Sequence, residues 1–166
     1  TPIVSIIPVN ISVNFGYFCS CKNSNITRVT MDKSDKIIVG ISIGDLNGIG
    51  IEVILKTFDD KRMLEFCTPV IFGATKAISY HKKVLENETQ VHGITDISQA
   101  NAAKINVLNI WKEEVDIEIG KPTAISGEYA LKSLESAVNH LKENKIDVLI
   151  TAPINKENIQ SDAFHF

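Results

Sequence analysis

Short apolar, β-branched runs set apart by helix-length segments constrain this chain more than any other feature. Residues 37–43, 69–72, 105–111 and 147–151 are such runs. Near-continuous apolar character marks strands buried on both faces of a parallel sheet, not half-solvated strands. The first run passes through a turn at 44–50 into a helix over about 51–58. The second ends at Gly73, after which Thr75 is expected to cap a helix reaching about Glu86. Residues 87–103 are polar and take no assignment. The third run is followed by a possible further strand over 115–119, which Gly120-Lys121-Pro122 breaks. Ser126 is expected to cap the clearest helix. There Ala130, Leu134, Ala137, Val138 and Leu141 recur at helical spacing, opposite Lys132, Glu135, Asn139 and Lys142. Glu128 falls in its first turn, where the helix dipole favours a negative charge. The helix ends near Asn144, and the strand over 147–151 stops at Ala152-Pro153. The fold class is α/β: a mostly parallel sheet with helices on both faces.

Composition narrows the partners. Hydrophobic residues make up 44% of the 166, enough for a globular core. Seventeen basic and twenty acidic residues leave a formal charge of −3. That balance gives no basic field for nucleic acid or an anionic membrane surface. No apolar run approaches the roughly 20 residues of a membrane span, so a cytoplasmic location is the default. Cys19, Cys21 and Cys67 form no disulfide framework, and Cys19-Ser20-Cys21 lacks the second pair of a zinc site. Residues 1–30 hold no acidic residue and are broken by Pro8, Asn10, Ser12 and Asn14. They are expected to be a non-native or unstructured leader before a start at Met31; an extra strand over 3–13 is the alternative.

Three segments can carry chemistry. Gly44-Asp45-Leu46-Asn47-Gly48-Ile49-Gly50-Ile51-Glu52 joins a strand to a helix at the sheet edge where α/β proteins bind ligands. It is neither a Walker A loop nor a dinucleotide fingerprint. Close ligand approach and plain tight packing explain its glycines equally well. Thr151-Ala152-Pro153-Ile154-Asn155-Lys156 also leaves a buried strand. Asn155 offers an amide donor and acceptor, and Lys156 a point charge for phosphate or carboxylate; a solvated surface lysine is the plainer reading. Gly120-Lys121-Pro122-Thr123-Ala124-Ile125-Ser126-Gly127 precedes the long helix. Its amides could hold an anion, although an ordinary cap accounts for the same residues. His81, His92, His140 and His165 are scattered; His81 and His140 are expected on helix surfaces. They compose no triad and no metal cluster.

Together these segments resemble the 4-hydroxythreonine-4-phosphate dehydrogenase family of vitamin B6 biosynthesis. The family pattern is a glycine-aspartate, two small residues including proline, then Gly-Ile-Gly-Pro-Glu. Leu46 and Ile51 stand here where proline is usual, which implies a less rigid turn. The stretch from Gly120 to Gly127 and the intact Thr-Ala-Pro-Ile-Asn-Lys are the closer matches, and the resemblance runs over residues 36–166. It implies the isocitrate and isopropylmalate dehydrogenase fold, two α/β/α domains and a homodimer with the active site in a cleft. It implies NAD- or NADP-dependent oxidation of 4-phosphooxy-threonine. Decarboxylation then gives 3-amino-2-oxopropyl phosphate, and a divalent metal (Zn, Mg or Co) assists. Asn155 and Lys156 then line the substrate side, and Asp45, Gly48 and Gly50 shape the turn beside it. The family's Gly-His-Thr-Glu motif and its three metal-binding histidines would follow residue 166. No metal ligand is therefore assigned here, His165 is none of those histidines, and residues 1–166 alone are expected to be inactive.

Three other functions are open at this point. A paralogous dehydrogenase would act on a four-carbon sugar-acid phosphate such as threonate 4-phosphate. A phosphate acyltransferase of related architecture would bind no nicotinamide. A non-catalytic binding module would do neither.

Overall fold

A computed structural model describes residues 36–159. The leader, the alternative strand over 3–13 and His165 lie outside the described residues. Strands β1 (Ile37–Ser42), β2 (Cys67–Gly73), β3 (Val91–Ile94), β4 (Ile105–Asn109) and β5 (Val148–Thr151) form one sheet in the order β3-β4-β2-β1-β5. Every pairing is parallel, with Ile41 opposite Ile71 on one side and Ile150 on the other. The helices are α1 (Gly50–Asp59), α2 (Met63–Phe66), α3 (Thr75–Val84), α4 (Ala124–Lys142) and α5 (Lys156–Ile159). None is long and apolar enough to cross a membrane.

Alternation along the strands builds two cores. Val39, Ile41, Ile71, Ile105 and Val107 pack on one face against Ile51, Ile54, Leu55 and Phe58 of α1 and Ala77 and Ile78 of α3. Val70, Phe72, Leu108 and Ile94 turn to the other face, against Ala137 of α4 and Ile146. Helices thus cover both faces, as the apolar runs predict. Ser126, Ala130, Ser133 and Ala137 are the residues α4 buries deepest along its length, together with Gly127 and Tyr129. Small side chains at this helical spacing bring α4 close to the sheet. Asn144 ends the helix region at φ 54, a left-handed conformation that asparagine tolerates well.

Several expectations are corrected. The α4 cap is Thr123, whose Oγ1 accepts from the Ser126 amide at 3.2 Å; Ser126 lies inside the first turn. Thr75 does not cap α3. Asn109 of β4 does so from across the sheet edge, its Oδ1 accepting from Thr75 N (2.7 Å) and Thr75 Oγ1 (2.9 Å). Residues 115–119 form no strand: the Glu118 amide donates to Asn47 Oδ1, and the Glu118 carbonyl accepts from Lys121 N. The unassigned stretch 87–103 contains β3, a four-residue edge strand. His81 is 2% exposed, not a surface residue, because it continues the buried face of Ala77 and Ile78.

Candidate functional site

Strands β1 and β5 are parallel neighbours, so the segments leaving them emerge side by side at the carboxyl edge of the sheet. The Ala152 amide donates to Ser42 O at 3.1 Å, and the Asp45 amide to Pro153 O at 3.1 Å. The turn after β1 and the Thr151–Lys156 segment are therefore one structure. Gly44 has φ +69, and a methyl group there would overlap the Pro153 carbonyl. At Gly50 it would stand 2.5 Å from Ile43 O and 3.1 Å from Ala152 Cβ. Packing of the chain on itself, not approach of a ligand, is what these two glycines serve. Gly48 sits over Asp45, whose Cβ would lie 3.3 Å from an added methyl.

Asp45 is 8% exposed and closes the turn on itself. Its Oδ1 accepts from Asn47 N at 3.0 Å, and its carbonyl accepts from Gly48 N at 3.1 Å. This is the local carboxylate-to-backbone bond that aspartate makes in tight turns. Leu46 and Ile51 are both wholly buried. Both side chains pack into the core and anchor the turn there.

Two residues missed by sequence reasoning hold this turn. His81 Nε2 lies 2.8 Å from Leu46 O. A carbonyl can only accept, so Nε2 carries the proton and donates. Burial pushes the His81 pKa below its ordinary value, against opposing pulls from the Leu46 carbonyl and Glu52. Asn47, 2% exposed, reaches the loop before α4. Its Oδ1 accepts from Glu118 N at 2.9 Å, and its Nδ2 donates to Lys121 O at 2.8 Å and Thr123 Oγ1 at 3.1 Å. The helical spacing of His81 from Ala77 and Ile78 was the available signal; nothing in the sequence marked Asn47.

The third motif thus joins the first two. Thr123 caps the α4 amides, and Lys121 pairs with Glu118 at 2.6 Å, both exposed. Helix α5 docks on α4 at Gly127, where a methyl group would overlap the Asn158 carbonyl. Asn155 caps α5: its Oδ1 accepts from Glu157 N at 3.0 Å and its carbonyl from Ile159 N at 3.2 Å. Lys156 is exposed at the first position of α5. On α4, Ser133 Oγ accepts from Ile43 N at 3.0 Å and donates to Phe72 O at 2.6 Å, fastening the carboxyl ends of β1 and β2.

Beside these segments lies an open cavity of about 580 Å³, lined among others by Lys76, Tyr80, Trp111, Glu113, Asp116 and Glu118. Its acidic wall disfavours a phosphate. Glu113 is held below the usual carboxylate range, first by its own amide and then by the Tyr129 hydroxyl, which donates to it at 3.0 Å. Among the described residues, no group of three His, Cys, Asp or Glu is placed to hold a metal ion.

A family model described as "Pyridoxal phosphate biosynthetic protein PdxA" matches residues 65–166. A 4-hydroxythreonine-4-phosphate dehydrogenase of Bacteroides thetaiotaomicron is 45% identical over 134 residues, 81% of this chain and 37% of that protein. A candidate D-threonate 4-phosphate dehydrogenase of Oceanobacillus iheyensis is 30% identical over 130 residues, 76% of this chain and 39% of that protein. The crystal structure of a 4-hydroxythreonine-4-phosphate dehydrogenase from Burkholderia phymatum matches with a TM-score of 0.69 at 28% identity, over 75% of this chain and 38% of that one. The chain therefore spans well under half the length of the curated relatives it matches.

Proposed function

We propose, from the premise that this chain belongs to the pyridoxal phosphate biosynthetic protein PdxA family, that it forms the sheet-edge part of a dehydrogenase for a small phosphorylated hydroxy acid. The substrate is 4-phosphooxy-L-threonine. Its secondary alcohol is oxidised by transfer of a hydride to NAD or NADP and loss of the hydroxyl proton. The β-keto acid then loses carbon dioxide to give 3-amino-2-oxopropyl phosphate. The working form is a homodimer.

One observation carries this reading. The three motif segments, far apart in sequence, meet at the carboxyl edge of a parallel sheet, tied by the Asp45–Pro153 and Asn47–Thr123 contacts. The exposed ammonium of Lys156 stands at this edge and suits the phosphate or carboxylate of the substrate. Asn155 fixes the start of α5, and so the position of Lys156. Asp45, Gly48 and Gly50 set the path of the neighbouring turn.

The described residues gather no cluster that fits a divalent metal. We assign the metal to residues outside 36–159 and route no step through these side chains.

The test uses the complete polypeptide with 4-phosphooxy-L-threonine or D-threonate 4-phosphate, NAD or NADP, and divalent metal, followed by NAD(P)H absorbance. Higher kcat/KM with 4-phosphooxy-L-threonine is the expected result. Preference for the threonate ester would install the second reading, which the Oceanobacillus iheyensis relative favours. No reduction of cofactor with either ester would refute a dehydrogenase.

A further inference from the structure

We propose that Asn47 is a positioning residue whose carboxamide ties the turn after β1 to the loop before α4, so that the site is presented preformed. The substrate-binding role of that wall rests on the function proposed above; the coupling itself rests on geometry.

The backbone from 110 to 123 forms neither strand nor helix. It is anchored at its start by Ile110 N donating to Gly73 O at 2.9 Å and at its end by α4. Between them, Asn47 makes three side-chain hydrogen bonds to Glu118, Lys121 and Thr123, and its carbonyl accepts a fourth from Gly120 N at 2.7 Å. The partners fix the orientation of the amide. Glu118 N–H can only donate, so it meets Oδ1; Lys121 C=O can only accept, so it meets Nδ2. Asparagine alone has this donor-and-acceptor pair at this length. Aspartate would set an oxygen against the Lys121 carbonyl, and alanine would make none of the contacts.

The connection continues past the loop. Thr123 Oγ1 accepts from Ser126 N at 3.2 Å, and Ser126 Oγ accepts from Asn158 Nδ2 at 3.4 Å in α5. Helix α5 begins with Lys156. Asn47 thus links the turn, the loop, the start of α4 and the helix that carries the site's ammonium group. A loop held in place before binding spares the substrate the entropy of ordering it. Such an effect acts on the bound ground state and transition state alike, so its loss raises KM and leaves kcat.

The experiment compares wild type, Asn47→Ala and Asn47→Asp in the complete polypeptide by hydrogen exchange and steady-state kinetics. In Asn47→Ala, exchange of residues 117–123 should rise at least about tenfold while β2 and β4 stay protected. KM should rise about tenfold with kcat within about threefold. Asn47→Asp keeps an acceptor for Glu118 N but sets an oxygen against the Lys121 carbonyl, so exchange of residues 117–123 should rise there too. Unchanged exchange in 117–123 would overturn the proposal. So would an equal rise throughout the sheet, which marks general destabilisation, or a fall in kcat at constant KM. Exchange reads the coupling without any turnover. A wild type that oxidises neither ester therefore sinks the proposed function while the coupling is still decided.

Discussion

Ser133→Ala isolates the fastening at the carboxyl ends of β1 and β2. The hydroxyl is fully buried, 3.0 Å from Ile43 N and 2.6 Å from Phe72 O. Removing it strands a backbone donor and deprives a carbonyl of one partner, with no solvent to replace either. A buried group left unsatisfied costs about 1–3 kcal/mol, so the pair comes to about 2–4 kcal/mol. Alanine is the better helix former by about 0.5 kcal/mol, which offsets a small part. The net loss should be about 1.5–3.5 kcal/mol. Urea denaturation reads it as a lower midpoint at unchanged m-value. Glu135→Ala, exposed on the same helix, is the control and should stay within about 0.5 kcal/mol. A loss below about 0.5 kcal/mol for Ser133→Ala would show that Ile43 and Phe72 find each other directly, and that the bridge argument is wrong.

Three further outcomes are expected. Lys156→Ala in the complete enzyme should lower kcat/KM about a hundredfold, the scale of one lost charge-assisted contact; unchanged kinetics with an intact fold would leave Lys156 as a solvated surface residue. Because burial depresses the His81 pKa, the unfolded chain binds its proton more readily, so stability should fall as pH drops below about 6.5, the ordinary value. His81→Gln keeps a donor for Leu46 O and should remove that part of the pH dependence; an identical profile in both proteins would refute the buried neutral imidazole. Gly44→Ala, at φ +69 and against the Pro153 carbonyl, should destabilise by more than about 1 kcal/mol in thermal or urea unfolding, whereas a neutral effect would mean that the turn can open there.

Much of the fold was legible because apolar periodicity is local. Residues 37–43 announce a buried strand, and α4 shows its stripe without help from the rest of the chain, whereas the expected buried strand over 147–151 is instead the edge strand β5, with Val148 42% and Ile150 47% exposed. What was not legible depends on partners distant in sequence. Thr75 looked like a cap because its hydroxyl type is right, yet Asn109, 34 residues on, takes that position. Val115 and Ile117 alternate like a strand and do pack on the core, but Asn47 takes the backbone donor of Glu118 between this pair and Ile119. β3 was hidden because Val91-His92-Gly93-Ile94 is short and half exposed at the sheet edge. The site followed the same division. Its three segments could be named from their residues; spacing could mark His81 as buried but not its bond to Leu46 O, and Asn47 and Ser133 act through contacts that no spacing rule reveals.

The turn after β1 shows how such contacts replace a motif residue. A proline restricts the unfolded chain and stabilises a compatible turn by about 0.4–1 kcal/mol. Leu46 and Ile51 occupy the two positions where the resembled family usually has proline, and each is 0% exposed. Burying an aliphatic side chain of this size contributes about 1.5–3 kcal/mol, more than the restraint it replaces. Burial also fixes position as well as conformation. With Leu46 held in the core, its carbonyl meets His81, and the next residue, Asn47, is directed to the loop before α4. Rigidity that a proline would supply within one residue is here distributed over the core, α3 and the loop. A substitution in any of those three should therefore loosen the same turn.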